Sequence, residues 1–479
     1  MTRALEREDR VEPAEPRRLL PRRADIVLFL RRHWPFLVIL AAGIALRVVA
    51  SLAFWPILPF RNRDSYEYLR RALELSVTRS FHPFLYSTLL RGLTLTGSLA
   101  PVAILQHVAG LTMGVLLYAL LRRRGGGPVL SALGVAPVLI DGFQIAFEHQ
   151  ILTETFCQLF VVSGLVLLTW RDRPSVVQAG GAGLLLGASV LLRFVGLGTI
   201  VPAVLYSLVR RMGWGRIVAL GLLFLVPLSV YGLWFRSESG SLGITNRNGF
   251  YLYGRVASFA DCREVAVPPK LRIFCPPPGG PPGRGLFQSG LPDDIRRNPA
   301  YNGPALAFAT RMIAAKPLDY AAAALTDFTR YFGVSAQGRN QWRFPSTLRL
   351  RRPMPPGLTV RFWYRPPLAV FLHEYQGIMH TWGPILGVLL LAGAVGGAIG
   401  WTNRGRGAPA PEALLFTFTA VAVMLFATMF AVHHFRYVLT PLPLAGPAAA
   451  LGVVAARNRL SRRPSIGEAG RSPGEAPEP

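Results

Sequence analysis

Charge is scarce in this chain, and what there is leans one way. Asp, Glu, Lys and Arg make up 16% of the 479 residues, against 51% hydrophobic, too few charges to clothe a soluble protein of that length. Lysine is nearly missing, with Lys270 and Lys316 alone, so the formal net charge of +27 is arginine charge. The arginines fall in short clusters between apolar runs, not in one stripe, which points to membrane topology and away from nucleic acid. Cysteine is rare too. Cys157 sits in an apolar run and reads as a small buried residue, whereas Cys262 and Cys275 share a polar connection where a disulfide is expected, two free thiols being the alternative. Their spacing lacks the paired CxxC of a zinc site. Residues 1–34 are polar and of mixed charge, and the apolar run after them is too long for a cleaved leader, so no cleavage is expected.

Long apolar runs are abundant instead. They cover about 35–58, 101–121, 128–147, 151–170, 176–192, 194–209, 217–235, 381–400, 412–432 and 438–456, which predicts an all-α polytopic membrane protein of about ten transmembrane helices. Arg122 to Arg124, Arg171 and Arg173, Arg210 and Arg211, Arg404 and Arg406, and Arg457 and Arg459 mark alternate connections. That pattern places those connections and both termini in the cytoplasm of a plasma (inner) membrane. Residues 1–34 then form a cytoplasmic tail, 35–235 the first seven helices, 381–456 the last three, and 457–479 a disordered cytoplasmic tail. Two outer connections are long. One is the first outer loop, 60–100; the other, 236–380 between helices seven and eight, is large enough to fold as an extracytoplasmic cap. Within it PPPGGPPGRG, 276–285, reads as coil, and 303–333 as helix interrupted at Pro317.

The first outer loop carries the clearest chemistry. In RNRDSYEYLRRALEL, from Arg61, the residues Asp64, Glu67, Tyr68 and Arg71 recur at helical spacing and would present two carboxylates, a phenol and a guanidinium on one face. Asp64 serves equally as a helix cap. Arg61, Arg63, Arg70, Arg71, Arg79 and Arg91 lie on the translocated side against the usual bias. A bound phosphate would offset that cost, since guanidinium binds phosphate bidentately; lipid headgroups are the alternative. Arg193, at an outer turn, and Arg436, after the ninth run, are ionisable residues at costly depth and therefore phosphate-binding candidates, with snorkelling to the headgroups as the plain alternative. Glu148, His149 and Glu154 mark the outer ends of the third and fourth runs, where Glu154 would assist Asp64, orient an acceptor or cap a helix.

Metal binding is left open. The pairs His433 with His434 and His373 with His380 lack the spacing of a ligand set, and a divalent cation held by Asp64, Glu67 and Glu154 requires a convergence that spacing does not decide. The runs are otherwise read as largely uncharged, without the internal repeats or interrupted helices of a transporter. A transporter or flippase for a lipid-linked or anionic substrate remains the alternative to an enzyme.

The order of a first helix, an outer loop with RNRDSYEY and then HPFLYSTLLRGL resembles the GT-C integral membrane glycosyltransferases, in particular the protein O-mannosyltransferases and aminoarabinose transferases (glycosyltransferase family 39-like). EHQILTETF from Glu148, GLLLGASVLLRF from Gly183, AAKPLDYAA from Ala314 and HHFRYVLTPLPL from His433 extend the resemblance, and LYGRVASFADC from Leu252 is similar to actinobacterial membrane proteins of this type. His82, Pro83 and Tyr86 stand where many relatives carry two prolines. The resemblance implies a GT-C-like fold and transfer of a sugar from a polyprenyl-phosphate donor to an extracytoplasmic acceptor, with inversion at the anomeric carbon. It makes Asp64 the general base, with Glu67 and Glu154 beside it, and places Arg61, Arg63, Arg71, His82, Tyr86, Arg193 and Arg436 around substrate and phosphate.

Overall fold

The computed structural model describes residues 23–58, 63–74, 83–95, 97–276, 290–334, 342–347, 360–401 and 409–461. It is almost wholly helical. All ten apolar runs become helix: α1 is Arg23–Ala53, and after two short helices, α2 Arg63–Glu74 and α3 Leu85–Thr94, come α4 Ala100–Arg123, α5 Pro128–Ile140, α6 Gly142–Glu148, α7 Glu154–Thr169, α8 Val176–Val190, α9 Ile200–Val209 and α10 Trp214–Ser239. The large connection holds α11 Asn248–Val256, α12 Asp293–Arg297, α13 Asn302–Ala315, α14 Pro317–Thr329 and α15 Pro366–Ile378. It is followed by α16 Gly383–Gly400, α17 Ala410–Phe430 and α18 Leu442–Leu460. Among the described residues six helices are long and apolar enough to cross a membrane, and α5 with α6 makes a seventh if that bent pair is one span. The runs at 154–169, 176–190 and 194–209 are shorter. The protein is thus a polytopic membrane protein, with ten helical runs where ten were expected and fewer that span alone.

Local chemistry sets several helix ends. Ser175 and Gln178 form a reciprocal capping box on α8, and α10 stops at Gly240, whose φ of 74° lies in the left-handed region. Close packing comes from small residues, as expected where apolar burial alone does not drive helices together. A methyl group at Gly183 or Gly187 on α8 would strike the α10 backbone at Leu220 or Phe224.

Two expectations need correction. An interrupted helix exists: α5 and α6 bend by 48° because Asp141 leaves helical geometry between them and its carboxylate accepts hydrogen bonds from the Phe143 and Gln144 amides, at 2.8 and 3.1 Å. Nor is the bundle interior uncharged. Arg47 of α1 forks onto Glu148 at 2.8 Å through both Nε and Nη2, and the same carboxylate meets His107 Nδ1 at 3.0 Å and Gln144 Nε2 at 3.1 Å. His107 continues to His149 at 2.9 Å, and His149 Nε2 donates to the Phe54 carbonyl at 2.7 Å. A single charge in an apolar run is permitted because its partner is delivered from another helix.

The connections holding Arg124, Asp172 and Arg210 gather at one end of the bundle, while Arg404 and Arg406 lie outside the described residues. There Glu412 is fully buried, accepting from Tyr206 Oη at 2.7 Å and from Arg210, with Arg124 Nη2 3.5 Å away. At the other end α11 to α14 build a separate small core around Phe250, Tyr253, Phe274 and Phe308. Cys262 and Cys275 form the expected disulfide beside that core, with Cα atoms 5.9 Å apart. Helix breaks at Lys316, as the position of Pro317 predicts. Most of the coil-forming stretch, 277–285, lies outside the described residues. This unit is fastened to the bundle through Asp327, which pairs with Arg255 and accepts from the His433 amide at 3.1 Å, and through Tyr320 Oη, which donates to the Met429 carbonyl at 3.0 Å.

Candidate functional site

Four residues from four separate segments meet at the end of the bundle below this unit. Asp64 opens α2, Glu154 opens α7, Arg193 follows α8, and Arg436 lies in a short 3-10 turn, Phe435–Val438, ahead of α18. Arg436 reaches both carboxylates. Its Nε and Nη2 donate to Glu154, the latter at 3.3 Å, while Nη1 donates to Asp64 Oδ2. Arg193 Nη1 donates to Glu154 Oε1. The Glu154 side chain is 1% exposed and that of Asp64 28%, so one carboxylate is a buried anchor and the other opens toward solvent. Two acids and two bases leave the quartet formally neutral.

Helix length explains why these groups lie deep. α7 has 16 residues, about 24 Å at 1.5 Å per residue, against a hydrocarbon thickness of about 30 Å. Its far end lies at the arginine-rich face, where Arg124 binds the Thr169 carbonyl. Glu154 therefore stands short of the opposite surface, buried beneath the part-exposed Asp64.

Aromatic rings flank the two guanidiniums. Tyr437 lies under the Arg193 guanidinium at 5.2 Å and Trp342 under that of Arg436 at 5.6 Å, both favourable for a desolvated cation. The Trp342 indole N–H is buried and has no hydrogen-bond partner among the described residues. Tyr68, one turn after Asp64, is buried, and burial followed by the Asp64 charge pushes its phenol well above the ordinary value. Burial likewise raises Tyr251, with Tyr437 and Asp64 adding to the effect. His434 is held down to about 4, first by burial and then by the adjacent Arg436. Its Nδ1 accepts from the Arg436 amide at 3.3 Å, as a neutral ring can.

No family model and no curated protein matches the chain. Among solved structures it is similar to a protein O-mannosyltransferase complex of S. cerevisiae bound to the sugar donor, with 16% identity, a TM-score of 0.35, and coverage of 47% of this chain and 36% of that one. It is also similar to the Archaeoglobus fulgidus oligosaccharyltransferase, with 15% identity, a TM-score of 0.42, and coverage of 91% of this chain and 52% of that one. A third is ArnT from Cupriavidus metallidurans bound to undecaprenyl phosphate, with 15% identity, a TM-score of 0.34, and coverage of 91% and 79%. The match thus spans about a third of the yeast chain and half of the archaeal one. These are similarities alone, and the chemistry below rests on the residues of this chain.

Of the residues singled out from sequence, Asp64, Glu154, Arg193 and Arg436 converge. Glu67, on the same face of α2 as Asp64, is not bound by Arg436; its carboxylate pairs with Arg70 Nη2 at 3.0 Å, its i+3 neighbour. Arg71 is buried, with its guanidinium 5.0 Å from the Phe84 ring. Tyr86 stands behind Tyr68, ring to ring at 5.1 Å, and donates to Gln106 Oε1 at 2.9 Å. It supports the Tyr68 ring. Arg61, His82 and the side chain of Arg63 lie outside the described residues.

No cluster of three or more His, Cys, Asp or Glu suited to a metal ion occurs among the described residues. Asp64 and Glu154 are bridged by Arg436, His373 Nδ1 and His380 Nδ1 bind backbone carbonyls, and the His433 ring packs on Tyr331 at 4.7 Å. Trp342, Tyr437, Tyr251 and His434 were not foreseen beside the quartet. Only the costly position of Arg436 hinted at partners nearby.

In chemical terms such a quartet can couple a proton to an anion. If Asp64 takes up a proton, Arg436 Nη1 loses its counter-charge and the site becomes net positive. A group that gives up a proton to Asp64 while a neighbouring leaving group gains negative charge would be served at both ends.

Proposed function

We propose that this protein is a membrane glycosyltransferase that moves a sugar from a polyprenyl-phosphate-linked donor to an acceptor hydroxyl, with inversion. The acceptor, a protein, lipid or glycan, is met on the extracytoplasmic side, because the arginine-rich connections at the opposite end favour the cytoplasm. The observation that carries the reading is Arg436 held between a buried carboxylate and a half-open one.

In the proposed reaction the acceptor O–H gives its proton to Asp64 as its oxygen bonds to the anomeric carbon. The carbon–oxygen bond to the phosphate breaks, and the lipid phosphate leaves with the electron pair and one more negative charge. Arg436, released from Asp64, and Arg193 receive that charge, while Glu154 keeps both guanidiniums in place. No metal is required for the balance of protons and charges.

The test is Asp64→Asn, which keeps size and a hydrogen-bonding oxygen but takes no proton. Proteoliposomes with this variant should bind a radiolabelled polyprenyl-phosphate sugar as the unmodified protein does, and transfer it about 100- to 10,000-fold more slowly. Transfer at the normal rate would remove Asp64 as base. Movement of intact donor across the bilayer with no transfer would replace the enzyme by a flippase.

A further inference from the structure

The connection between α14 and α16 contains a segment that differs from the rest of the outer unit. It begins with a two-stranded ribbon in which Trp363 pairs with Trp55 and Tyr364 with Phe54, and it continues as α15. Arg365 N donates to the Ala53 carbonyl at 3.1 Å, so α15 starts level with the end of α1. It does not rise from there. Its far end is held by Tyr375 Oη on the Ile140 carbonyl at 2.6 Å and by the Met379 carbonyl on the Gly142 amide at 2.8 Å. That level is deep on α1, because Arg47 Nη1 binds the carbonyls of both Gly43 and Leu139, at 3.0 and 2.7 Å. α15 therefore runs back down beside α1, against which it packs.

The boundary of the hydrocarbon can be placed on α1. Trp34 and Trp55 are both exposed, and 21 residues separate them. The helical part, Trp34 to Ala53, is about 29 Å at 1.5 Å per residue, and Trp55 follows in the ribbon, so an aromatic residue stands at each edge of about one hydrocarbon thickness. Between them Ile44, Val48 and Leu52 form an exposed apolar stripe on a helix that crosses the membrane. The stripe does not end at Trp55. It continues onto Trp363, 64% exposed, then to Val370 and Phe371 and to Ile378, 74% exposed. The opposite face of α15, Ala369, Leu372 and Gln376, is buried. Arg361 and Arg365 are exposed beside Trp363, at the end of α15 that is level with the end of α1. Glu374 shares the exposed face, more than two turns below the start of α15.

We infer that the ribbon and α15 lie in the membrane leaflet on the site's side, with Trp363, Phe371 and Ile378 against lipid acyl chains and Arg361 and Arg365 at lipid phosphates. This segment is a lipid-contacting helix, not part of an aqueous cap. The occupant is lipid because the apolar surface is continuous with the spanning face of α1, and the aromatic and basic residues take the order of a membrane boundary. The inference stands independently of the proposed reaction.

Cys157 is buried and Cys262 is bonded to Cys275, so a new surface cysteine is the accessible thiol. Phe371→Cys and Ile378→Cys, spin-labelled in lipid nanodiscs, should be relaxed more by oxygen than by a water-soluble nickel chelate, as should Val48→Cys. Arg263→Cys, on the small outer unit, should show the reverse. Stronger relaxation by nickel at 371 and 378 would overturn the inference, as would spin–spin broadening between labelled copies, which would mean that another chain covers the face. A second measurement needs no cysteine. Brominated lipids should quench part of the tryptophan emission, and Trp363→Phe should remove a share of that quenching; an unchanged quenched share counts against lipid contact.

Discussion

Arg436 and Glu154, 282 residues apart in the chain, meet in the protein interior with Nη2 3.3 Å from Oε2 and Nε directed at Oε1. The same guanidinium holds Asp64 with its remaining nitrogen. Only a planar fork serves three points at once, and lysine, a single point charge, does not. Arg436→Lys is expected to keep the charge, lose the link between the two carboxylates, and lower transfer by about 10- to 100-fold, the equivalent of one charged hydrogen bond. Normal kcat and KM in this variant would show that the fork has no part in the reaction.

The Trp342 indole N–H, without a hydrogen-bond partner among the described residues, gives a narrower expectation. Trp342→Phe keeps a ring under Arg436 but removes the donor, so the donor KM should rise by about 2- to 10-fold with kcat little changed, the scale of one neutral hydrogen bond. Trp342→Leu, which also removes the ring, should cost more. Equal kinetics for the Phe variant and the unmodified protein would leave the N–H without a ligand.

His434 predicts an acid limb in stability. Its ordinary pKa is 6.5, and burial with Arg436 lowers it to about 4 in the folded protein. Between those values the unfolded chain binds the proton and the folded one does not, so stability falls as pH drops from about 6.5 to about 4 and is unaffected by this group above that window. His434→Gln should flatten that limb in thermal unfolding followed from pH 7 to pH 4. An equally steep limb in the variant would place the sensitivity elsewhere.

The Arg47–Glu148 pair should be costly to break and cheap to replace. Arg47→Met leaves a buried carboxylate and Glu148→Leu a buried guanidinium, each expected to lose about 3–5 kcal/mol, whereas the double variant should recover much of it. Gly110→Ala tests the same site sterically, since a methyl group there would collide with the Glu148 carboxylate. Unfolding midpoints in detergent would rank the four variants. Additive losses in the double variant would contradict a coupled pair.

Much of this protein was determined by sequence alone, for a physical reason. Membrane solvent demands long apolar helices, and retention of arginine on one side marks their ends, so both signals are local and survive without a third dimension. All ten helical runs follow from them, while the break before Pro317 and the Cys262–Cys275 bond were legible from a proline in a helical pattern and two cysteines in one polar connection. Asp64, Glu154, Arg193 and Arg436 could be suspected one at a time, as charges in costly places. That they form one neutral quartet depends on four segments meeting at one end of the bundle, which no spacing encodes, whereas the Glu67–Arg70 pair is local to α2. The Arg47–Glu148–His107 cluster and the descent of α15 beside α1 were likewise decided only by tertiary structure. In each case a residue that is costly or ambiguous alone takes its meaning from a partner far along the chain.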